Sequence, residues 1–166
     1  MRPSVQMIRR IVSGGQTGAD RAGLDAAMAC GVPHGGWCPK GRRADDGVIP
    51  DTYQLTETNG TSYLARTERN VKQSDGTVIF TLGELTGGSS RTADFARRHR
   101  KPCIHVRLDT LTDEEAVAEL LHFVAEQGIT CANIAGSSEV REPGIYKRVR
   151  AIVERGLRWQ GSEVSS

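Results

Sequence analysis

The chain has 166 residues, enough for one domain that buries about 70% of its unfolded surface. Its 22 basic and 20 acidic residues leave a net charge of +2, too little to argue for a nucleic-acid surface. No apolar run approaches the length of a bilayer span and the basic residues 1–10 lead into no secretory core, so a cytoplasmic protein with no membrane partner is expected.

In chain order, the apolar run Ile8–Ser13 reads as a first strand that passes directly into Ser13-Gly14-Gly15-Gln16-Thr17-Gly18-Ala19-Asp20. Thr17 is placed to cap the following helix, with Asp20 three residues on to answer it. That helix runs to about Cys30 and stops at Gly31-Val32-Pro33. Its alanine and glycine face (Ala19, Ala22, Gly23, Ala26, Ala27) predicts close packing on a sheet. Pro33–Cys38 reads as a second strand, running into the polar loop 39–47, and the weakly alternating Tyr53–Thr58 as a third. A helix over Ser62–Ser74, a central strand over Thr77–Leu82, a helix over Arg91–Arg100 and a buried strand over Cys103–Val106 follow. Thr112 caps a helix closed by Gly128. Thr130–Ala135 is the last strand, and Gly136-Ser137-Ser138 leads to a final helix from about Pro143 to Trp159. Residues 1–160 read as a single ligand-binding domain and 161–166 as a flexible tail.

This alternation predicts an α/β, Rossmann-like doubly wound sheet, mostly parallel, with helices on both faces. A strand order of 3-2-1-4-5-6 makes the first and fourth strands neighbours. The loops after them, at Gly14, Gly15, Gln16, Thr17 and Gly18 and at Thr86, Gly87, Gly88, Ser89 and Ser90, then meet at the switch point of the sheet. Glycine there lets the backbone approach an anion, and each helix start adds unpaired N–H groups and its positive end. Arg91, opening the second helix, is placed to clamp a phosphate; the alternative is a solvated helix residue. Lys40, Arg42 and Arg43 lie where the crevice should be, or on a solvated loop, and Asn133 ends a strand where its amide can read a ring edge or serve structure. Trp37 can stack on a flat ring or pack in the core; Asp20 and Glu142 read as helix-start charges. Cys30, Cys38, Cys103 and Cys131 form no C-x-x-C pair and the four histidines are scattered, so no metal site is expected.

The block Ser13–Ala27, together with Gly36-Trp37-Cys38-Pro39-Lys40-Gly41-Arg42, Thr61–Asn70, Ser74-Asp75-Gly76-Thr77 and Asn133-Ile134-Ala135-Gly136, resembles the molybdenum (cofactor) carrier family. The resemblance spans nearly the whole chain. It implies non-catalytic carriage of a phosphorylated pterin, most simply molybdenum cofactor, whose dithiolene holds its own metal. Molybdoenzymes or cofactor-synthesis proteins as partners, and a homo-oligomer, are implied with it. The family lies in a wider Rossmann-like group that resembles nucleoside-monophosphate phosphoribohydrolases, the "lysine decarboxylase" type. Their Pro-Gly-Gly-x-Gly-Thr-x-x-Glu stretch falls on Thr86–Asp94, with Arg66 at the matching upstream place. The alternative is therefore a nucleotide N-glycosidic hydrolase using Arg66 and Asp94, or a nucleotide sensor. Only the two central glycines of that stretch persist here, which favours the carrier.

Overall fold

The computed structural model describes residues 7–165; the leader reading over residues 1–6 and the tail reading at Ser166 lie outside the described residues. Five parallel strands form the central sheet: β1 (Arg10–Val12), β2 (His34–Gly35), β7 (Gly76–Thr81), β8 (Cys103–Arg107) and β9 (Cys131–Gly136). Four two-residue strands stand apart from it. Of these, β3 (Trp37–Cys38) pairs in parallel with β6 (Thr56–Glu57), and β4 (Arg43–Ala44) pairs antiparallel with β5 (Gly47–Val48). The described residues also form five helices: α1 (Ala19–Ala29), α2 (Tyr63–Gln73), α3 (Gly87–Arg98), α4 (Asp113–Gln127) and α5 (Ile145–Ser165). The architecture is Rossmann-like, as the alternating pattern predicts.

The strand order is not the expected one. It runs β2-β1-β9-β7-β8, so the first and fourth strands expected to be neighbours are separated by the last strand of the chain. Burial explains the position. Ala132, Asn133, Ile134 and Ala135 are all buried, as only a strand covered on both faces and both edges can be. The edge strand β8 has an exposed Cys103 and three half-buried residues. Counting from β9, and following α5 round to β1, turns the order into 3-2-1-4-5, the doubly wound pattern with its start displaced. The switch point therefore falls between β9 and β7.

Side chains alternate across the sheet. Ile11, Val78, Phe80, Val106 and Ile134 face α1, α4 and α5 in the main apolar core. Each such fully buried side chain is worth roughly 1.5–3 kcal/mol. Helix α1 lies close because Gly23 has no Cβ; one added there would stand 2.7 Å from Ile134 Cβ. The opposite face, under α2 and α3, carries Thr77, Thr81 and Asn133, all buried and polar. On that face Asn133 and Ala135 form the floor of the site.

Several local expectations hold and several shift. Ser62 Oγ accepts from the Ala65 N–H at 3.3 Å, and Thr112 and Glu115 cap α4 reciprocally before Gly128 ends it at φ 66°. The second expected strand is broken at Gly36 (φ 127°), where a Cβ would run into the Ser13 backbone. The third shrinks to Thr56–Glu57 beyond the sheet edge. Thr17 does not cap α1: Gly18, at φ 85°, is the N-cap, and Thr17 Oγ1 accepts from the Glu139 N–H at 3.3 Å. The helix expected from Arg91 begins at Gly87, and α5 continues to Ser165, through the segment read as a tail. Gln160 on α5 grips Ile8 before β1 twice: its Oε1 accepts from the Ile8 N–H (2.9 Å) and its Nε2 donates to the Ile8 carbonyl (2.8 Å).

Candidate functional site

The first glycine loop is already answered from within the chain. Asp20, in the first turn of α1, turns back so that its Oδ2 accepts from the Gln16 N–H (3.4 Å) and from Arg66 Nη1 (3.0 Å). Ser13 Oγ accepts from the Gly15 N–H and the Gln16 amide oxygen from the Thr17 N–H. Gly14 is glycine because Arg66 lies directly on it, where a Cβ would overlap the guanidinium. Both partners of the Arg66–Asp20 pair have side chains only 10% exposed, so little water screens the pair. Burial pushes the Asp20 carboxyl above its ordinary range, and the Arg66 charge pulls it down by less. The chain's own carboxylate thus takes the place an incoming anion would take.

The second loop is open. Thr86 precedes α3, its N–H donating to Ser89 Oγ (3.1 Å) while that hydroxyl donates to the Thr86 carbonyl (2.8 Å). The N–H groups of Gly87 and Gly88 are the first two of the helix and have no partner among the described residues. Gly87 sits at φ 50° beneath the Arg141 guanidinium, which a Cβ would strike. Gly88 has nothing within 4 Å of its would-be Cβ. A guanidinium, two free N–H groups and the positive end of a three-turn helix therefore converge on one spot.

A cavity of about 650 Å³ joins these parts. Its floor holds Asn133; Asn70 and Thr92 contribute from α2 and α3; Tyr63 and Leu64, both exposed, stand at the mouth. Asn70 is committed to Trp37, accepting from its N–H (2.9 Å) and donating to its carbonyl (3.0 Å). The loop after β9 brings Ser137, Arg141 and Glu142. Glu142 bonds the Ser137 hydroxyl and takes the Leu82 N–H at 2.9 Å, tying the β9 loop to the β7 loop.

Of the residues picked from sequence, Gly14, Gln16, Thr86, Gly88, Ser89 and Asn133 line this cavity. Gly15 instead lies under Ile49 and Leu55, while Thr17 and Gly18 line a separate cavity beside Asp25, whose carboxylate accepts from Tyr53 (2.7 Å) and Tyr146 (2.5 Å). Ser90 and Arg91 do not line the cavity; α3 starts four residues earlier than expected, so they lie about one turn inside the helix and not at its N-terminus. Lys40 is exposed and away from the site. Arg42 is a loop staple: its guanidinium donates to the carbonyls of Ile49, Pro50, Tyr53 and Leu55. Trp37 stacks under Arg69 at 4.4 Å, outside the cavity. Of the two residues of the hydrolase alternative, Arg66 lines the cavity and pairs with Asp20, while Asp94 is exposed, pairs with Arg97 at 3.1 Å and does not line it. Sequence reasoning missed Arg141, Tyr63 and Leu64, and misassigned Asp20 and Glu142. Gly136-Ser137-Ser138, a third glycine-bearing strand-to-helix loop, was the signal available for the β9 segment. Among the described residues no group of three or more His, Cys, Asp or Glu side chains could hold a metal ion, and no helix is long and apolar enough to cross a membrane.

A cavity at the switch point of a displaced 3-2-1-4-5 sheet defines a Rossmann-like α/β protein of permuted strand order. Residues 11–157 match the model of the circularly permutated YpsA SLOG family, and the chain belongs to that family. It is similar to a solved protein of Syntrophus aciditrophicus SB named "Putative molybdenum carrier protein", with 45% identity and a TM-score of 0.89 over 90% of this chain and 95% of that one. The resemblance carried by Ser13–Ala27 is borne out. A second solved structure, (E)-4-hydroxy-3-methyl-but-2-enyl diphosphate reductase, shares 12% identity over 89% of this chain and 59% of that one at a TM-score of 0.40, too loose a likeness to carry an argument. No curated protein sequence matches the chain.

Proposed function

We propose that this protein binds and carries a small phosphorylated ligand, molybdenum cofactor, without transforming it. The observation that carries the reading is the meeting of the free Gly88 N–H group and Arg141 at one end of a 650 Å³ cavity, with Gly87 outside its lining but against the Arg141 guanidinium. The name of the Syntrophus relative supports it. In this reading the phosphate sits on the start of α3 and the pterin extends along the polar face of the sheet. The cargo's dithiolene holds the molybdenum, so the protein needs no thiolate ligands of its own. The carrier is favoured over the hydrolase alternative by the position of Asp94, which is exposed beside Arg97 and does not line the cavity. Transfer to molybdoenzymes or cofactor-synthesis proteins, from a cytoplasmic homo-oligomer, completes the proposal. The test is purification from a cofactor-producing host, with molybdenum measured by elemental analysis and pterin by fluorescence after oxidation. Matching, near-stoichiometric amounts support carriage. Empty protein, or release of free base from nucleoside monophosphates, overturns it.

A further inference from the structure

Arg66 reaches the cavity with its hydrogen-bonding capacity only partly used. A guanidinium has five N–H donors in a fixed fork. Here Nε donates to the Tyr63 carbonyl at 3.1 Å and Nη1 to Asp20 Oδ2 at 3.0 Å, while Nη2 donates to nothing among the described residues. Among those residues the buried side-chain atoms without a partner are Arg21 Nε and His99 Nε2, so Arg66 Nη2 is not sealed in. It opens on the cavity, which Arg66 lines with a side chain otherwise nine-tenths buried. The counter-ion is held with less certainty. Asp20 lines the same cavity, its contact with the Gln16 N–H is long at 3.4 Å, and burial disfavours its charged form. Because β1 and β7 lie on either side of β9, the Gly14 loop under Arg66 and the Gly88 loop leave the sheet two strand spacings apart, about 10 Å.

We propose that Arg66 is a second oxyanion seat in the cavity, with Asp20 as the counter-ion it exchanges. The oxyanion rests on the free Nη2 edge, and Asp20 takes up one proton from solvent as it arrives. That proton removes the repulsion between two anions sharing one guanidinium. One anion and one proton enter together, so the net charge of the cavity does not change. The inference rests on the proposed anion end at α3 for the first group, and adds a second at the opposite loop. A second anionic group on one ligand and a separate free oxyanion are the two sources of this chemistry. Arg66 faces Asp20 from α2, and the backbone N–H groups of Gly14 and Gln16 face it from the first loop. The other titratable or charged side chains lining the cavity are Asp45, Tyr63, Glu84, Arg141 and Glu142, and no histidine lines it.

The test is calorimetric titration of the protein with hexyl sulfate, hexanediol disulfate and inorganic sulfate, which hold no proton near neutrality. Each titration is run at about pH 7, above the ordinary carboxylate range, in two buffers of different ionisation enthalpy, which counts the protons taken up. The disulfate binds about ten-fold tighter or more than the monosulfate, as one added charge-assisted hydrogen bond gives. It also takes up protons, at most one per molecule, that the monosulfate does not. Asp20→Asn keeps the tighter binding and loses the uptake. Two inorganic sulfates per chain, the second with proton uptake and with no gain for the disulfate, identify a separate oxyanion as the source. A disulfate within two-fold of the monosulfate together with a single inorganic sulfate, binding of the second anion without uptake, or uptake that survives in Asp20→Asn overturns the proposal, as does no binding of any probe. The wild-type ratio and proton count stand whether or not the variant folds. Arg141→Ala tells the two ends apart: monosulfate binding that weakens in it, with no gain for the disulfate and no second sulfate, keeps the α3 end and removes only the Arg66 seat. Monosulfate binding indifferent to Arg141→Ala, with proton uptake still lost in Asp20→Asn, removes the α3 end and keeps the seat.

Discussion

The Arg66 guanidinium donates to the Asp20 carboxylate at 3.0 Å, directly over the backbone of Gly14. The pair closes the first glycine loop from inside. Taking away one member leaves the other charge buried without its partner. Asp20→Ala should therefore cost about 3 kcal/mol or more of unfolding free energy, whereas replacing both by apolar residues of similar volume should cost less than that single change. Urea denaturation of the two variants measures the difference, and equal losses would show that the pair does not act as a unit.

The acid limb of stability should carry the signature of the same carboxyl. Burial raises the folded pKa of Asp20 above its ordinary 3.8. Between 3.8 and that raised value the folded protein holds a proton that the unfolded chain has released. The stabilisation linked to this proton is complete below 3.8 and is lost as pH rises through the folded value. Asn cannot titrate, so the stability of wild type relative to Asp20→Asn should fall with rising pH across that window. Paired denaturation curves at stepped pH check the slope; a rise would mean that Arg66 outweighs burial.

Gly88 faces open space and Gly87 does not. Gly88→Leu should leave the melting temperature unchanged or slightly raised, since glycine costs a helix roughly 1 kcal/mol against better formers. It should abolish cofactor binding by filling the approach to the free N–H groups. Gly87→Leu strains a φ of 50° and strikes Arg141, so it should lose both binding and stability. Thermal melts beside binding assays separate the two.

Two arginines near α3 should behave differently. Arg141→Ala should weaken binding of the phosphorylated ligand by about 1.5–3 kcal/mol, the range for a charge-assisted hydrogen bond. Arg91→Ala should change it little, because Arg91 is exposed and does not line the cavity. Equal losses in titration would move the anion away from Arg141.

Much of this was legible in the chain because its signals are local. Thr112 with Glu115 and Gly128 delimit α4, and the alanines and Gly23 of α1 announce close packing on the sheet. The placement of β9 was not legible, since chain order says nothing about lateral order; the burial of Ala132 through Ala135 on both faces does, and it is a property of the assembled sheet. Arg42 was read as a ligand contact because a basic residue on a glycine-bearing loop looks the same whether it faces a phosphate or four carbonyls. Arg91 was read as the clamp because the start of α3 was set four residues late; with the helix beginning at Gly87, Arg91 lies a full turn inside it and no longer at its N-terminus. Asp20 looked like a cap because it sits where caps sit, and only the approach of Arg66 from α2 gives it another use.

The grip of Gln160 on Ile8 joins residues 152 positions apart. Such a clasp forms only after the whole polypeptide has looped round, and the entropy of that closure slows folding more than it weakens the final state. A rearranged gene that links the polypeptide near these residues and opens it between α4 and β9 would make the clasp a local contact. The rearranged protein would read its strands in the order 3-2-1-4-5 from its new start, keep the same cavity, and refold faster than the natural order in stopped-flow dilution from urea.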